Sequence, residues 1–250
     1  TRRFLYVREA ETNPGWKPSL IKRLINWLAD YYEIHTFIAA QDGISVLDNR
    51  DKEWTQVYLG KKSRVVRSAI EVGDFPYRKH SASHPDSVML LASAIFFPHR
   101  RFEDIIEALA ILRDTKGFRP QLSIIGKYEI KDRYYLKICD LIRTRGLDSQ
   151  VHLLGEVSEA ELLSHFQKHD IFIFPSHLQS WGIAVFEAMA CGTPVIVSRT
   201  AGASEVLTDE KNALITQAHH NQKKKGFPPL RAGTRFHPCG DPRYCGYHRA

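Results

Sequence analysis

Residues 170–203 hold the tightest constraint on the fold. The apolar run 171–174 (Ile-Phe-Ile-Phe) has the length of one buried strand, and Pro175-Ser176 stop it. A polar loop leads to Trp181-Gly182, then to a helical stretch carrying Glu187, closed by Gly192 and Pro194. Val195-Ile196-Val197 reads as the next buried strand. This is a strand–loop–helix–strand unit of parallel type. Its loop-to-helix junction is where such units bind phosphate. The first turn of a helix carries free N–H groups and the positive end of its dipole.

The same alternation runs back to residue 88. A strand is expected over 88–92. A helix follows over 102–112, with Ile105, Ile106, Leu109 and Leu112 on one stripe and Gly117 as its stop. A strand over 122–125 ends at Gly126. The helix 132–145 aligns Tyr135, Ile138 and Ile142 and stops at Gly146. A strand over 151–154 ends at Gly155. Ser158 and Glu161 form a capping box that opens a helix through Leu162, Leu163 and Phe166. A last short strand falls at 213–215. Short apolar strands alternating with amphipathic helices predict an α/β domain: a Rossmann-like, doubly wound parallel sheet. Ligands of such sheets sit beyond the carboxyl ends of the strands. Those ends carry Pro98-His99-Arg100, Gly126-Lys127, Gly155-Glu156 and residues 176–182.

Residues 1–80 are less regular. Asn13-Pro14-Gly15 signals a turn. Ser19 caps a helix with Leu20, Leu24, Trp27 and Leu28 on one face. Strands are expected over 36–40 and 65–70, a loop over 73–76 and a linker over 81–85. The chain thus divides into 1–80, 81–216 and a tail, 217–250. The tail has no helical or strand period, and its Pro, Gly and Lys content predicts disorder.

The net charge of +7 belongs to that tail. Seven basic residues stand there against Asp241 alone, a net of +6, which leaves +1 for the other 216 residues. The body therefore gives no electrostatic case for nucleic acid. No run reaches the roughly 20 apolar residues of a membrane span, since 183–197 is broken by Glu187, Gly192 and Pro194. Cys139 and Cys191 lie in helical patterns as buried free thiols, which suits a reducing compartment and a cytoplasmic location. The chain starts at Thr1 without Met, and residues 1–10 are charged, as expected of a fragment or processed chain without a signal peptide.

Two groups stand out as candidate ligand contacts. Glu187 lies about one turn into its helix among Ala184, Val185, Phe186, Ala188 and Met189. It is either a helix acid turned to solvent or a carboxylate that accepts hydrogen bonds from ligand hydroxyls. Gly182 beside it would let backbone approach a phosphate. Arg100 and Arg101 are either a solvated helix start or guanidinium groups that neutralise a diphosphate. No metal is expected. His165 and His169 lack acidic companions, and His237, Cys239, Cys245 and His248 match no zinc spacing. There is no P-loop, nucleophile elbow or carboxylate pair.

Residues 170–176, 180–195 and 201–206, above all Glu187-Ala-Met-Ala-Cys-Gly-Thr-Pro-Val195, resemble the C-terminal domain of the retaining glycosyltransferases of family GT4, which have the GT-B fold. Weaker similarity reaches back to residue 88, and a loose one covers 38–75 as the end of an N-terminal domain and its linker. The resemblance implies a nucleotide diphosphate sugar as donor, an acceptor that is a saccharide, lipid or protein, retention at the anomeric carbon and no obligatory metal or other cofactor. By it, Glu187 holds the ribose hydroxyls and Arg100 the diphosphate, with Arg101 beside it. The backbone of Gly182, Ile183 and Ala184 meets the phosphates. Gly126, Gly155, Ser180 and Glu205 complete the donor contacts.

Three positions depart from the family pattern. Gln179 stands where the first of two glutamates, seven residues apart, is usual. Gln can bond a sugar hydroxyl but carries no charge; it is the one catalytic candidate. Ile95 replaces an Arg five residues before Arg100, and Ala201 the first of a Gly pair. Residues 1–80 are too few for a complete acceptor domain at roughly 100–200 residues. The chain is thus expected to be the donor-binding half of a sugar transferase. The alternative is a nucleotide-sugar-binding module that cannot turn over alone; a nucleotide-sugar epimerase lacks support in these residues.

Overall fold

The computed structural model describes residues 20–32, 36, 40–79 and 88–217. The turn at 13–15, the cap at Ser19, the linker 81–85 and all of the tail beyond residue 217 lie outside them, as do residues 37–39 of the strand expected over 36–40. One compact unit comprises Ser45–Lys52 and Arg64–Ala218. The described residues 20–44 and 53–63 belong to a second unit, which holds the helix α1 (Leu20–Tyr32). A two-stranded sheet joins β1 (Ile44–Val46) and β2 (Ser63–Val65), with the helix α2 (Asn49–Leu59) between them in sequence.

The large unit is built on six strands. In chain order they are β3 (Met89–Ser93), β4 (Gln121–Ile125), β5 (Val151–Gly155), β6 (Ile171–Phe174), β7 (Val195–Ser198) and β8 (Leu214–Thr216). Their spatial order is β5-β4-β3-β6-β7-β8, and every ladder is parallel. The helices α3 (Phe102–Lys116), α4 (Arg133–Thr144), α5 (Glu159–Lys168) and α6 (Ile183–Ala190) connect them.

The period-2 alternation of a strand sends successive side chains to opposite faces. On β3, Leu90 and Ala92 enter one core with Ile106 and Leu109 of α3 and Ile138 and Ile142 of α4. Leu91 enters the other with Phe166 of α5 and Val185 and Ala188 of α6. Covering both faces is what permits a central strand to be apolar at every position. This is the doubly wound α/β architecture that the alternating pattern implied.

Helix ends follow their local chemistry. Gly117, at φ 65°, ends α3, and its N–H returns to Arg113 O and Leu112 O. Asp132 caps α4 by accepting from Tyr134 N and Tyr135 N. That start puts Tyr134, rather than Tyr135, on the inner stripe with Ile138 and Ile142. Tyr135 sits at its edge, stacked on Tyr128 at 4.2 Å. The buried Tyr134 hydroxyl donates to Glu103 (2.5 Å) and accepts from Phe102 N (2.9 Å).

Two other expectations change. The strand expected over 65–70 ends at Val65; its partner β1 is three residues long, and after Val66 N bonds Val46 O (2.8 Å) no ladder remains. The last strand runs from Leu214 to Thr216, while Ala213 makes only an isolated bridge to Asp209. The helix α2 was not anticipated, because its polar sequence lacks a clear apolar stripe.

Ser158 and Glu161 close both bonds of the capping box: Ser158 N donates to Glu161 Oε2 (2.9 Å) and Glu161 N to Ser158 Oγ (3.3 Å). Replacing Ser158→Ala should therefore cost about 1 kcal/mol, seen as a lower denaturant midpoint at unchanged slope.

Candidate functional site

The strand order defines the site. After β3 the chain winds towards β5, and after β6 it winds towards β8. The loops leaving β3 and β6 therefore diverge from adjacent strands and open a crevice at their carboxyl ends. Hydrogen bonds join these loops. His177 N donates to His99 O (2.7 Å), and Arg100 Nη1 donates to Gln179 Oε1 (2.9 Å).

Arg100 closes the 3-10 turn Pro98–Arg100 that precedes α3. Its guanidinium is largely buried, and that desolvation lowers its pKa below the ordinary arginine range. No carboxylate pairs with it among the described residues, and its Nε is buried without a partner. Arg101 differs. It takes a left-handed conformation (φ 57°), and its side chain forks back onto Asp104 of its own helix through Nε (3.0 Å) and Nη2 (2.7 Å). Only the first of the two adjacent arginines joins the cross-loop contact.

Gly182 is the N-cap of α6 at φ 104°. A Cβ there would stand 2.7 Å from the Phe174 ring, so the position demands glycine twice over, by conformation and by space. Trp181 beneath it is buried, stacks on Phe186 (4.7 Å) and donates Nε1 to Ser68 O (3.0 Å). The amides of Ile183 and Ala184 are first-turn groups, for which a helix supplies no acceptor.

Glu187 lies one turn further. It is half-buried, and no hydrogen bond or ion pair reaches its carboxylate among the described residues. Burial, and then the charge of Glu159, raises its pKa above the usual 4.5.

The remaining sequence candidates lie at this same end of the sheet. Gly126 follows β4 with its N–H on Gly155 O (2.8 Å); a Cβ there would overlap Ala94 O, at 1.8 Å. Gly155 is the last residue of β5. The Ser180 carbonyl lies so close to Gly202 that a Cβ at Gly202 would meet it at 1.8 Å. Glu205 has both oxygens engaged, accepting from Asn49 N (2.9 Å), Asn49 Nδ2 (2.8 Å) and Arg67 Nη2 (2.6 Å). His165 and His169 lie on and just after α5, which leads into the opposite, amino end of β6. Among the described residues, no cluster of three or more His, Cys, Asp or Glu could hold a metal ion.

A group absent from the sequence reading stands behind the site. Asp48 is buried, 1% exposed, and accepts from Asp51 N (2.7 Å) at the start of α2 and from Arg50 Nη2 (2.7 Å). Burial pushes its carboxyl up to about 6, against the opposing pull of Arg50. Arg50 in turn reaches Leu178 O (3.2 Å) and Thr200 O (3.3 Å). Asp48 three residues before Asp51, at a helix start, was the available signal.

The family model described as "Glycosyl transferases group 1" matches residues 75–225. A D-inositol 3-phosphate glycosyltransferase of Arthrobacter sp. (strain FB24) is 32% identical over 116 residues, covering 46% of this chain and 27% of that protein. The same-named protein of Jonesia denitrificans is 23% identical over 259 residues, covering 92% of this chain and 59% of its own length. This chain thus spans from about a quarter to three-fifths of these relatives. Among solved structures, a sucrose-phosphate synthase from Thermosynechococcus elongatus superposes with a TM-score of 0.61 at 20% identity, covering 71% of this chain and 45% of that one. Anabaena Alr3699/HepE in complex with UDP and glucose does so with a TM-score of 0.59 at 16% identity, covering 70% and 49%.

The Glu187 carboxyl binds its proton more tightly folded than unfolded. Its contribution to stability is therefore lost as pH rises from about 4.5 through the raised value. Glu187→Gln should be slightly more stable than the parent at pH 7, by less than about 1 kcal/mol because solvent screens a half-buried group. Thermal melts across pH 4 to 7 should show the gain shrinking on the acid side.

Proposed function

The chain belongs to the glycosyl transferases group 1 family, and on that premise we propose that the crevice between the β3 and β6 loops binds a nucleotide diphosphate sugar. The whole protein then transfers the sugar to an acceptor with retention at the anomeric carbon. The observation that carries this reading is Arg100. It is a desolvated guanidinium with no carboxylate partner among the described residues, bonded to Gln179 across the point where the winding reverses. A buried cation is costly without an anion, and the diphosphate of a donor supplies one. The solved complexes of Anabaena Alr3699/HepE with UDP and with UDP-glucose support a uridine diphosphate donor as the first to test.

In this reading the phosphates lie between Arg100 and the amides of Ile183 and Ala184, where the dipole of α6 favours negative charge. Arg100 also stabilises the diphosphate as it departs with the electrons of the sugar–phosphate bond. Glu187 accepts from the ribose hydroxyls, which requires its ionised form. Since burial raises its pKa, nucleotide affinity should fall with decreasing pH earlier than for an ordinary glutamate, and Glu187→Gln should flatten that fall. Gln179 bonds a sugar hydroxyl without adding charge.

That neutrality favours a second reading, a module that binds the donor without turning it over. Donor hydrolysis or transfer measured beside binding separates the two, because the module binds and releases the donor intact.

Calorimetric titration with UDP, GDP and ADP tests the site. UDP should bind, and Arg100→Ala should weaken it by about 1.5–3 kcal/mol, the worth of a hydrogen bond to a charged group. A folded protein that binds none of the three at millimolar concentration would sink the assignment.

A further inference from the structure

Leu178 adopts φ 54°, a left-handed conformation that a branched side chain rarely takes. It immediately precedes Gln179, so its backbone sets where the Gln179 side chain points. Such a conformation persists only where the surroundings hold it. The holder is visible. Arg50 Nη2 donates to Leu178 O (3.2 Å), and Nη1 donates to Thr200 O in the loop after β7 (3.3 Å). Asp48, buried, anchors the guanidinium from behind at 2.7 Å. The neighbouring residue is fixed too, because Asn49 gives both its backbone and side-chain N–H groups to Glu205. On the other side, Gln179 O accepts from Gly202 N (2.7 Å). Gln179 is thus held at the carbonyl before it and at its own, and its side chain meets Arg100 (2.9 Å).

We infer that Arg50, clamped by Asp48, is a positioning residue that holds Leu178 in its left-handed conformation and so presents Gln179 to Arg100 and to the bound donor. The inference rests on the donor reading of the crevice. A bland alternative is that the Asp48–Arg50 pair merely glues the segment 45–52 to the sheet. The two differ in reach. Glue lost anywhere on this segment would lower overall stability, whereas a positioning arginine acts only on the loops after β6 and β7 that it bonds and can be replaced by a free guanidinium.

The test uses the whole chain and compares the parent with Arg50→Ala and Asp48→Asn. Amide hydrogen exchange is followed at Gly202 and Ala203, whose N–H groups bond Gln179 O and Trp181 O, and at Leu122, whose N–H bonds Gln150 O across the sheet. Arg50→Ala should speed exchange at Gly202 and Ala203 by about tenfold, the equivalent of one lost charged hydrogen bond, and leave Leu122 unchanged. Asp48→Asn keeps the cap on Asp51 N but removes the charge, and should give the same pattern more weakly. Millimolar guanidinium, but not urea, should restore protection in Arg50→Ala. UDP affinity should fall severalfold in Arg50→Ala and recover with guanidinium. Uniform acceleration at all three amides, or no rescue, overturns the inference. So does UDP binding that is equal in parent and variant, which leaves the donor reading standing. If local, guanidinium-reversible exchange appears but the parent binds no UDP, the positioning role stands and the donor reading falls.

Discussion

The pairing of β3 on both edges is the constraint from which the rest follows. Leu90 lies opposite Leu122 of β4 on one side and Ile171 of β6 on the other, all in parallel register. A parallel pair cannot be joined by a tight turn, so each neighbour must be reached by a helical crossover. With β4 and β6 on opposite sides of β3, the crossovers cover opposite faces. Both faces are then buried, and the loops leaving β3 and β6 are driven apart at their base. The crevice is a result of strand order before any side chain is considered.

What the side chains add is an imbalance of charge. Arg101, Arg67 and Arg50 all have carboxylate partners. Arg100 has an amide instead, and Glu187 has nothing among the described residues. A folded chain can ordinarily relieve such groups by pairing or by exposing them. Leaving a largely buried cation without a carboxylate and a half-buried anion without a partner among the described residues, at the carboxyl end of a parallel sheet, costs stability.

Much of this was legible before the structure. The sheet and its helices follow from period alone, because a strand buried on both faces is apolar throughout and its helices show a 3.6-residue stripe. The glycines at 126 and 155 were visible as the ends of apolar runs and Gly182 as a loop-to-helix junction, though not that Gly126 faces the Ala94 carbonyl. Position on the strand end did not tell Arg100 from Arg101; only the family resemblance singled out Arg100. The left-handed backbone of Arg101 turns that residue onto Asp104, and such a choice is tertiary. Glu205 looked like part of a ligand motif, while in the structure it receives the amide and side chain of Asn49. Arg50 was invisible as a site residue, since its partners at 178 and 200 lie far along the chain, while Asp48 could be read from its spacing to Asp51 only as a helix cap.

The clamp between residues 48–50 and 178–205 also bears on how the molecule is assembled. Asn49 and Glu205 are 156 residues apart in sequence, whereas the β3–β4 and β6–β7 pairings join near neighbours. The entropy of closing so long a loop is met by the chain only once the intervening sheet has shortened the effective distance. The contacts that aim Gln179 therefore close a longer loop than the strand pairings of the sheet that carries it. Asp48, Asn49, Arg50, Leu178 and Glu205 belong to neither core, so these bonds shape the crevice without carrying the apolar packing of the sheet.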